Sequence, residues 1–261
     1  MSARGSKDGP IRVHLIVGAP THDSNYVRLE LLKALHEDPR VCATIGDDFS
    51  DVDKIAAAQA LVVYSCNVSP DDTQLDTLEA FVDGGGRLFA MHATNALIRF
   101  TDGPPIVAQG IEIPGQVDTT DTNPRFTRLL GSRFLAHLLL GPMHVEVAEA
   151  GRDILSGLSD FDVVDEPYVV ELTGPAEVLL SARFGGSNPG YVLSDWEEAD
   201  YPQMYLRRQG RGEVLYLNLG HSSSRYDFLP LMDEGPVSRG PWETDGFRAV
   251  LRRSLDWVMR A

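Results

Sequence analysis

Four of the seven histidines stand where chemistry could be done. His22 lies in "GAPTHDSN" after an apolar run, His92 follows "RLFAM", His221 ends "EVLYLNLGH", and His137 sits in "GSRFLAHLLLG". An imidazole titrates near neutral pH, so at a strand end it can carry a proton or ligate a metal. Asp165 and Glu166 precede Pro167 and Tyr168 at a strand entrance, where one carboxylate can face the sheet rim and the other water. His14, inside a strand, and His36, near a helix end, read as structural or surface residues. Cys66 in "VVYSCNVS" also follows a strand, but no histidine nearby in sequence would make it a thiolate. With Cys42 as the only other cysteine and no metal-like spacing, neither a disulfide framework nor a cysteine metal motif is expected.

These residues need elements to bring them together. "IRVHLIV", "RVCATIG", "ALVVYS" and "RLFAM" read as strands, separated by an amphipathic helix with Val27, Leu31, Ala34 and Leu35 on one face, a short helix at "DVDKIAAA", and a third helix. That third helix is expected to be capped by Ser69, with Pro70 at its first position, and to end at the glycines of residues 84–86. Such alternation predicts a doubly wound, mostly parallel α/β sheet, whose strand ends bring His22, His92 and His221 to one rim. Residues 101–123 break the rhythm and read as an irregular excursion, of the kind that forms a lid or binding segment. After a short helix at "PRFTRLLG", the runs "HVEVAE", "YVVEL", "EVLLSARF", "GYVLSD" and "QMYLRR" predict an antiparallel or mixed extension, before a last parallel-type run "EVLYLNLG" and an amphipathic C-terminal helix.

Composition narrows the partners. A formal charge of -15 repels polyanions, and no basic run interleaved with aromatics offsets it, so nucleic acid is not an expected partner. "MSARGSKDGP" has no apolar core and no stretch reaches bilayer length, so a cytoplasmic protein with no membrane partner is expected. Residues 1–10 read as a flexible N-terminus and 11–261 as one domain, with homo-oligomerisation left open. "DDFSDVD" lacks the glycine and terminal glutamate of a calcium loop and reads as a solvated turn.

Several segments in order and spacing, "VGAPTHDS", "LEAFVDGGGRLFAMHATN", "LLGSRFLAH", "DILSGLSDFDVVDEPYVV", "GRGEVLYLNLGHSSS" and "LDWVMR", make the chain resemble the ThuA-like family, named for trehalose utilisation. The pattern departs at Arg152, Asp153 and Ile154, where the family has His-Pro-Ile, and at Tyr205, where it often has tryptophan. The resemblance implies a flavodoxin-like fold similar to class I glutamine amidotransferases, with His92 near the place of their nucleophilic cysteine and His221 near that of their catalytic histidine. Histidine does not form the glutamyl thioester of that chemistry, so a glutaminase is not expected.

The family implies a role in carbohydrate metabolism, on a disaccharide, while the chemistry open to a His/Glu cluster adds keto-sugars and would make the protein a hydrolase, lyase or isomerase. His92, Glu166 and His221 are the catalytic candidates, with His22, Asp23, Asn67, Asn95, His137, Asp165, Tyr168 and Ser222 as substrate-binding candidates. Two chemistries stay open. His22, His92, His137, Glu166 and His221 suit a divalent metal, zinc or manganese. The same groups could instead act by metal-free acid/base catalysis. A different class, a non-catalytic carbohydrate-binding or regulatory protein, would use the same rim together with Trp196, read in a loop where it could stack on a sugar.

Overall fold

The structure is a computed structural model that describes residues 9–108, 111–229 and 232–260. Most of the N-terminus expected to be flexible, residues 1–8, lies outside the described residues. The parallel strands form first: β1 (Ile11–Gly18), β2 (Val41–Gly46), β3 (Ala60–Ser65) and β4 (Arg87–Met91), separated by α1 (Ser24–Leu35), α2 (Val52–Ala57) and α3 (Asp72–Asp83). Val13, Leu15 and Val17 of β1 pack under Val27, Leu31 and Leu35 of α1, while Ile16 faces Ile55, Leu75 and Val82 from α2 and α3. Burial of each such side chain contributes roughly 1.5–3 kcal/mol, which is why a strand apolar on both sides needs helices on both faces. His14 shares the crowded interior and is held by Thr44 Oγ1 at 2.8 Å from its Nδ1.

The third helix starts one residue after Asp71, not at Pro70. Asp71 and Gln74 form a reciprocal capping box, each side chain bonding the other's backbone N–H, and that displaces Ser69 from the expected capping role.

The segment after β4 is not structureless. Phe100 in β5 (Arg99–Phe100) pairs with Val117 in β8 (Val117–Asp118), and β6 (Ile106–Ala108) pairs with β7 (Ile111–Ile113), so the excursion 101–123 holds one short antiparallel ribbon and is tied by another to the residues just before it. Residues 109 and 110 lie outside the described residues. Next come α4 (Pro124–Leu130), closed by Gly131 at φ 88°, and β9 (Ser132–His137).

The later strands are β10 (Gly141–Val147), β11 (Phe161–Asp165), β12 (Tyr168–Leu172), β13 (Glu177–Ser187), β14 (Asp195–Gln209) and β15 (Gly212–Leu217), and α5 (Asp245–Met259) closes the chain. The nine-stranded sheet runs β11-β10-β13-β14-β15-β4-β3-β1-β2. The five strands from β15 to β2 are parallel and the four from β11 to β14 antiparallel, so a parallel part carries an antiparallel extension nearly its equal in strands. Two readings are corrected. "YVVEL" pairs only with β9, in a separate two-stranded ribbon, and the expected strand at "GYVLSD" is a turn that makes a single bridge from Tyr191 to Val117. Both segments are short apolar runs, and an apolar run of that length records burial without naming the partner. α5 joins α1 on one face through Phe247, Val250, Leu251, Leu255 and Val258. No helix among the described residues is long and apolar enough to cross a membrane.

The order of the parallel strands reverses direction between β1 and β3, which opens a crevice at their carboxyl ends. Gly18 closes β1 there, and a Cβ on it would lie 1.8 Å from the Asp47 carbonyl oxygen. Backbone cannot yield as a flexible side chain can, so Gly18→Ala should cost about 3 kcal/mol or more in urea unfolding. An unchanged midpoint would mean that this close approach is not kept.

Candidate functional site

Each histidine arrives at the rim from a different strand. His22 follows β1 just ahead of α1, His92 opens a tight turn directly after β4, and His221 follows β15. Glu166 sits between β11 and β12, and His137 ends β9. The rings of His22, His92 and His221 lie with centroids 5.0–5.7 Å apart, as the convergence of parallel strand ends predicts. His22, His92, Glu166 and His221 each offer a donor atom, and these lie within 4.8 Å of one another. His137 stands beside this group, its Nδ1 3.8 Å from Glu166 Oε1.

The loops that carry them are strained and tightly tied. Thr21, Asn67 and His92 take positive φ angles of 68°, 54° and 48°, and all three stand just beyond the ends of β1, β3 and β4. The turn at His92 is held by Tyr216, whose hydroxyl donates to the His92 carbonyl and accepts the Asn95 N–H, both at 2.8 Å. Thr94 adds a bond from its hydroxyl to the Met91 carbonyl at 2.7 Å.

Hydrogen bonds also assign the imidazole protons. His92 Nδ1–H donates to the Asn218 carbonyl at 3.1 Å, and His22 Nδ1–H to the Pro20 carbonyl at 3.1 Å. Their Nε2 atoms, 3.0 Å apart, therefore face each other as lone pairs. Burial pushes the His22 pKa down to about 4 and that of His92 well below its usual range, so neither ring takes up a proton to relieve the contact at neutral pH. Tyr168 brings its hydroxyl to 3.3 Å from His92 Nε2.

Glu166 is buried, which would raise its pKa, but His137, His221 and His92 outweigh burial and hold the carboxyl well below the usual range. Its Oε2 lies 3.3 Å from His221 Nδ1, too poorly aligned for a hydrogen bond, so that buried nitrogen lacks a bonding partner. Burial opposes a charge on His221, yet Glu166 and Asp165 raise its pKa.

Neither acidic residue faces water, contrary to the reading of Asp165 and Glu166 as a split pair: they are 0% and 7% exposed. Asp165 is consumed by backbone, accepting the N–H groups of Gly220 at 2.8 Å, His221 at 3.1 Å and Glu166 at 2.9 Å. Other sequence candidates likewise fix loops. Asp23 caps α1 and pairs with Arg239 at 2.7 Å, Ser222 is fully buried beside the same arginine, Asn67 accepts the Ile98 N–H at 2.9 Å, and Asn95 binds Ser132. None of these five lines the cavity over the cluster, whereas His22, His137, Glu166, Tyr168 and His221 do. Trp196 lies in β14 rather than a loop and packs on the core. Tyr205, at the family's tryptophan position, is a core residue that bonds the Leu130 carbonyl at 3.0 Å and Ser132 Oγ at 2.7 Å.

The cavity measures about 310 Å³. Cys66 lines it, but burial pushes its thiol up to about 12, so it is no nucleophile. Phe134, Asn188 and Tyr191 also line it and have no counterpart in the sequence reading, although the alternation of Phe134 and Ala136 in "SRFLAH" was the available signal for β9.

Because His92 holds φ 48°, glycine suits its backbone better than alanine. His92→Gly should unfold at higher urea than His92→Ala, by about 1 kcal/mol. The opposite order would mean that the turn relaxes once the imidazole is gone.

Residues 107–232 match the ThuA family, described as trehalose utilisation. No protein of curated function matches the chain. Among solved structures, a protein described as thua-like from Bacteroides uniformis superimposes with a TM-score of 0.65 at 18% identity, over 99% of this chain and 95% of that one. A second thua-like protein, from Parabacteroides merdae, gives 0.57 at 15% identity, over 96% and 90% of the two chains. A β-galactosidase of Rahnella sp. R3 gives 0.52 at 16% identity, over 82% of this chain but 29% of its own. The family match over residues 107–232 and the whole-chain likeness in fold to two proteins described as thua-like agree with the motifs in the sequence.

Proposed function

We propose that His22, His92, Glu166 and His221 hold a divalent metal, zinc or manganese, and that the protein is a metal-assisted enzyme of carbohydrate metabolism, a hydrolase, lyase or isomerase acting on a sugar or keto-sugar. The contact between His22 Nε2 and His92 Nε2 at 3.0 Å carries this reading. Two neutral imidazoles whose protons are committed elsewhere have no hydrogen bond to share at that distance. A cation between them and the buried carboxylate would turn a repulsive arrangement into a favourable one. Three imidazoles and one carboxylate are a donor set that zinc and manganese accept, and the unpartnered Nδ1 of His221 beside Glu166 fits it. The carbonyls of Pro20 and Asn218 would act as the outer partners that fix ring orientation.

When bound, such an ion supplies polarisation of a sugar oxygen or a water made acidic enough to react. The chain's own groups do the rest. His137 stands outside the four donors and lines the cavity, and its Nδ1 is committed to the Leu138 carbonyl at 2.9 Å, so Nε2 remains to take or give a proton. The Tyr168 phenol, which burial keeps protonated, can donate to a developing oxyanion. The family's description supports a carbohydrate substrate. The strand order β2-β1-β3-β4-β15 is the flavodoxin-like order, which supports an amidotransferase-like ancestry of the parallel half, while His92 at the turn and a neutral Cys66 argue against glutaminase chemistry.

Elemental analysis of protein purified without an affinity tag or chelator tests the metal. Near-stoichiometric zinc or manganese is expected, with His92→Ala losing more affinity than the roughly 10–100-fold that an outer partner costs. Metal-free protein that takes up no added zinc or manganese would overturn the reading. His137→Gln should keep the metal and lower kcat on a responsive sugar by roughly 10²–10⁴-fold. Lost metal in that variant would make His137 a ligand instead.

A further inference from the structure

The cavity's wall differs in kind from its floor. All the ionisable imidazole and carboxylate groups are at the bottom. Above them the deep wall is formed by Phe134, Tyr191 and Val117, 3%, 6% and 9% exposed, and the mouth by Phe100, Leu140 and Val237, 41%, 40% and 58% exposed. Ile98, Ile113, Phe228 and Pro236 fill the gaps between them.

Polar side chains in the wall are already engaged with backbone. Asn188 donates to the His137 carbonyl at 2.9 Å and accepts the Gly190 N–H at 3.0 Å. Ser223 donates to the Pro236 carbonyl at 2.9 Å, Ser238 accepts the Gly240 N–H at 3.1 Å, and Thr21 bonds the Pro20 carbonyl. A second sugar ring placed here would trade water for a surface whose side chains offer its hydroxyls little beyond the Tyr191 and Ser238 hydroxyls, at a cost of roughly 1–3 kcal/mol for each one left unpaired. An aromatic or branched-alkyl group would lose nothing and bury apolar area. The volume of about 310 Å³ also stands at the small end of the roughly 300–1,000 Å³ typical of small-molecule sites, which leaves little room for a long oligosaccharide.

We infer that the substrate is a compact oxygen-bearing head, seated on the His/Glu floor, that carries one apolar substituent along the Phe134–Tyr191 wall towards Phe100 and Leu140: an aryl or branched-alkyl glycoside rather than a disaccharide. The identity of the head rests on the carbohydrate reading above; the apolar body rests on the wall alone. Phe100 and Leu140 are then specificity-determining residues, since they meet the substituent and stand away from the reacting groups.

Titration calorimetry with matched phenyl and methyl glycosides of glucose, galactose and mannose, in both anomers, together with trehalose and benzyl alcohol, tests this on the full-length protein. The phenyl member of at least one pair should bind at least about 10-fold more tightly than its methyl partner and than trehalose. Leu140→Asn and Phe100→Asn, both at exposed positions where folding is not at stake, should each reduce that advantage at least threefold. Phenyl and methyl members binding equally would overturn the inference and leave the carbohydrate reading standing. Benzyl alcohol binding, weakened by Leu140→Asn, with no glycoside bound would uphold the apolar wall and overturn the sugar head. Binding of none of these compounds, or tighter binding of trehalose, would overturn the inference outright.

Discussion

A buried carboxylate has to be paired, and the rim of this sheet is built round that requirement. Glu166 is 7% exposed and has three imidazole nitrogens at 3.3, 3.7 and 3.8 Å, from His221, His92 and His137. An isolated anion at that depth would cost several kcal/mol, and with His92 neutral the counter-charge falls to His221, whose pKa Glu166 and Asp165 raise against its burial. That pairing explains why the chain tolerates so much unfavourable detail nearby. Thr21, Asn67 and His92 hold left-handed backbone at the ends of three adjacent strands, each an expense of order 1–3 kcal/mol. Such geometry persists because surrounding bonds over-determine it, as Tyr216 and Thr94 do for the turn at His92.

A second group of residues holds the first in place and shows where polar atoms are spent. The Gly220 carbonyl accepts from Tyr64 at 3.0 Å and from Trp242 at 2.9 Å, while the Gly220 N–H donates to Asp165. The segment bearing His221 is thus fixed by β3, by the turn ahead of α5 and by the end of β11 together. Asp165, which looked like a binding group, acts as the fastener between the Glu166 and His221 loops. Burial pushes its carboxyl up, to about 7, against the pull of the backbone N–H groups it accepts.

How far the sequence could be read depended on the kind of signal. Parallel strands converge by topology, so the meeting of His22, His92 and His221 was legible from their positions after "IRVHLIV", "RLFAM" and "EVLYLNL". Amphipathic helices were legible too, since Val27, Leu31 and Leu35 share a face whichever strands they cover. Partnership was not legible: "YVVEL" reads as a sheet strand but pairs with β9, because an apolar run records burial and not against what. Trp196 illustrates the same limit, placed in a strand by pairing with Gly186 where its acidic neighbours suggested a loop. The apolar wall was hidden for a different reason, since Leu140, Tyr191 and Val237 lie outside named elements and Phe100 in a two-residue strand, with no period to follow.

The place of β15 in the sheet has a consequence for synthesis. It is paired in parallel with β4, with Leu215 beside Phe89 and Leu217 beside Met91, although more than half of the chain is made before it exists. Until then the growing polypeptide presents β4 as an unpaired edge whose residues from Leu88 to Met91 end up fully covered. An edge of that composition is a template for pairing with other nascent chains. A chain that ends before β15 is therefore exposed to aggregation along β4 in a way the finished sheet is not.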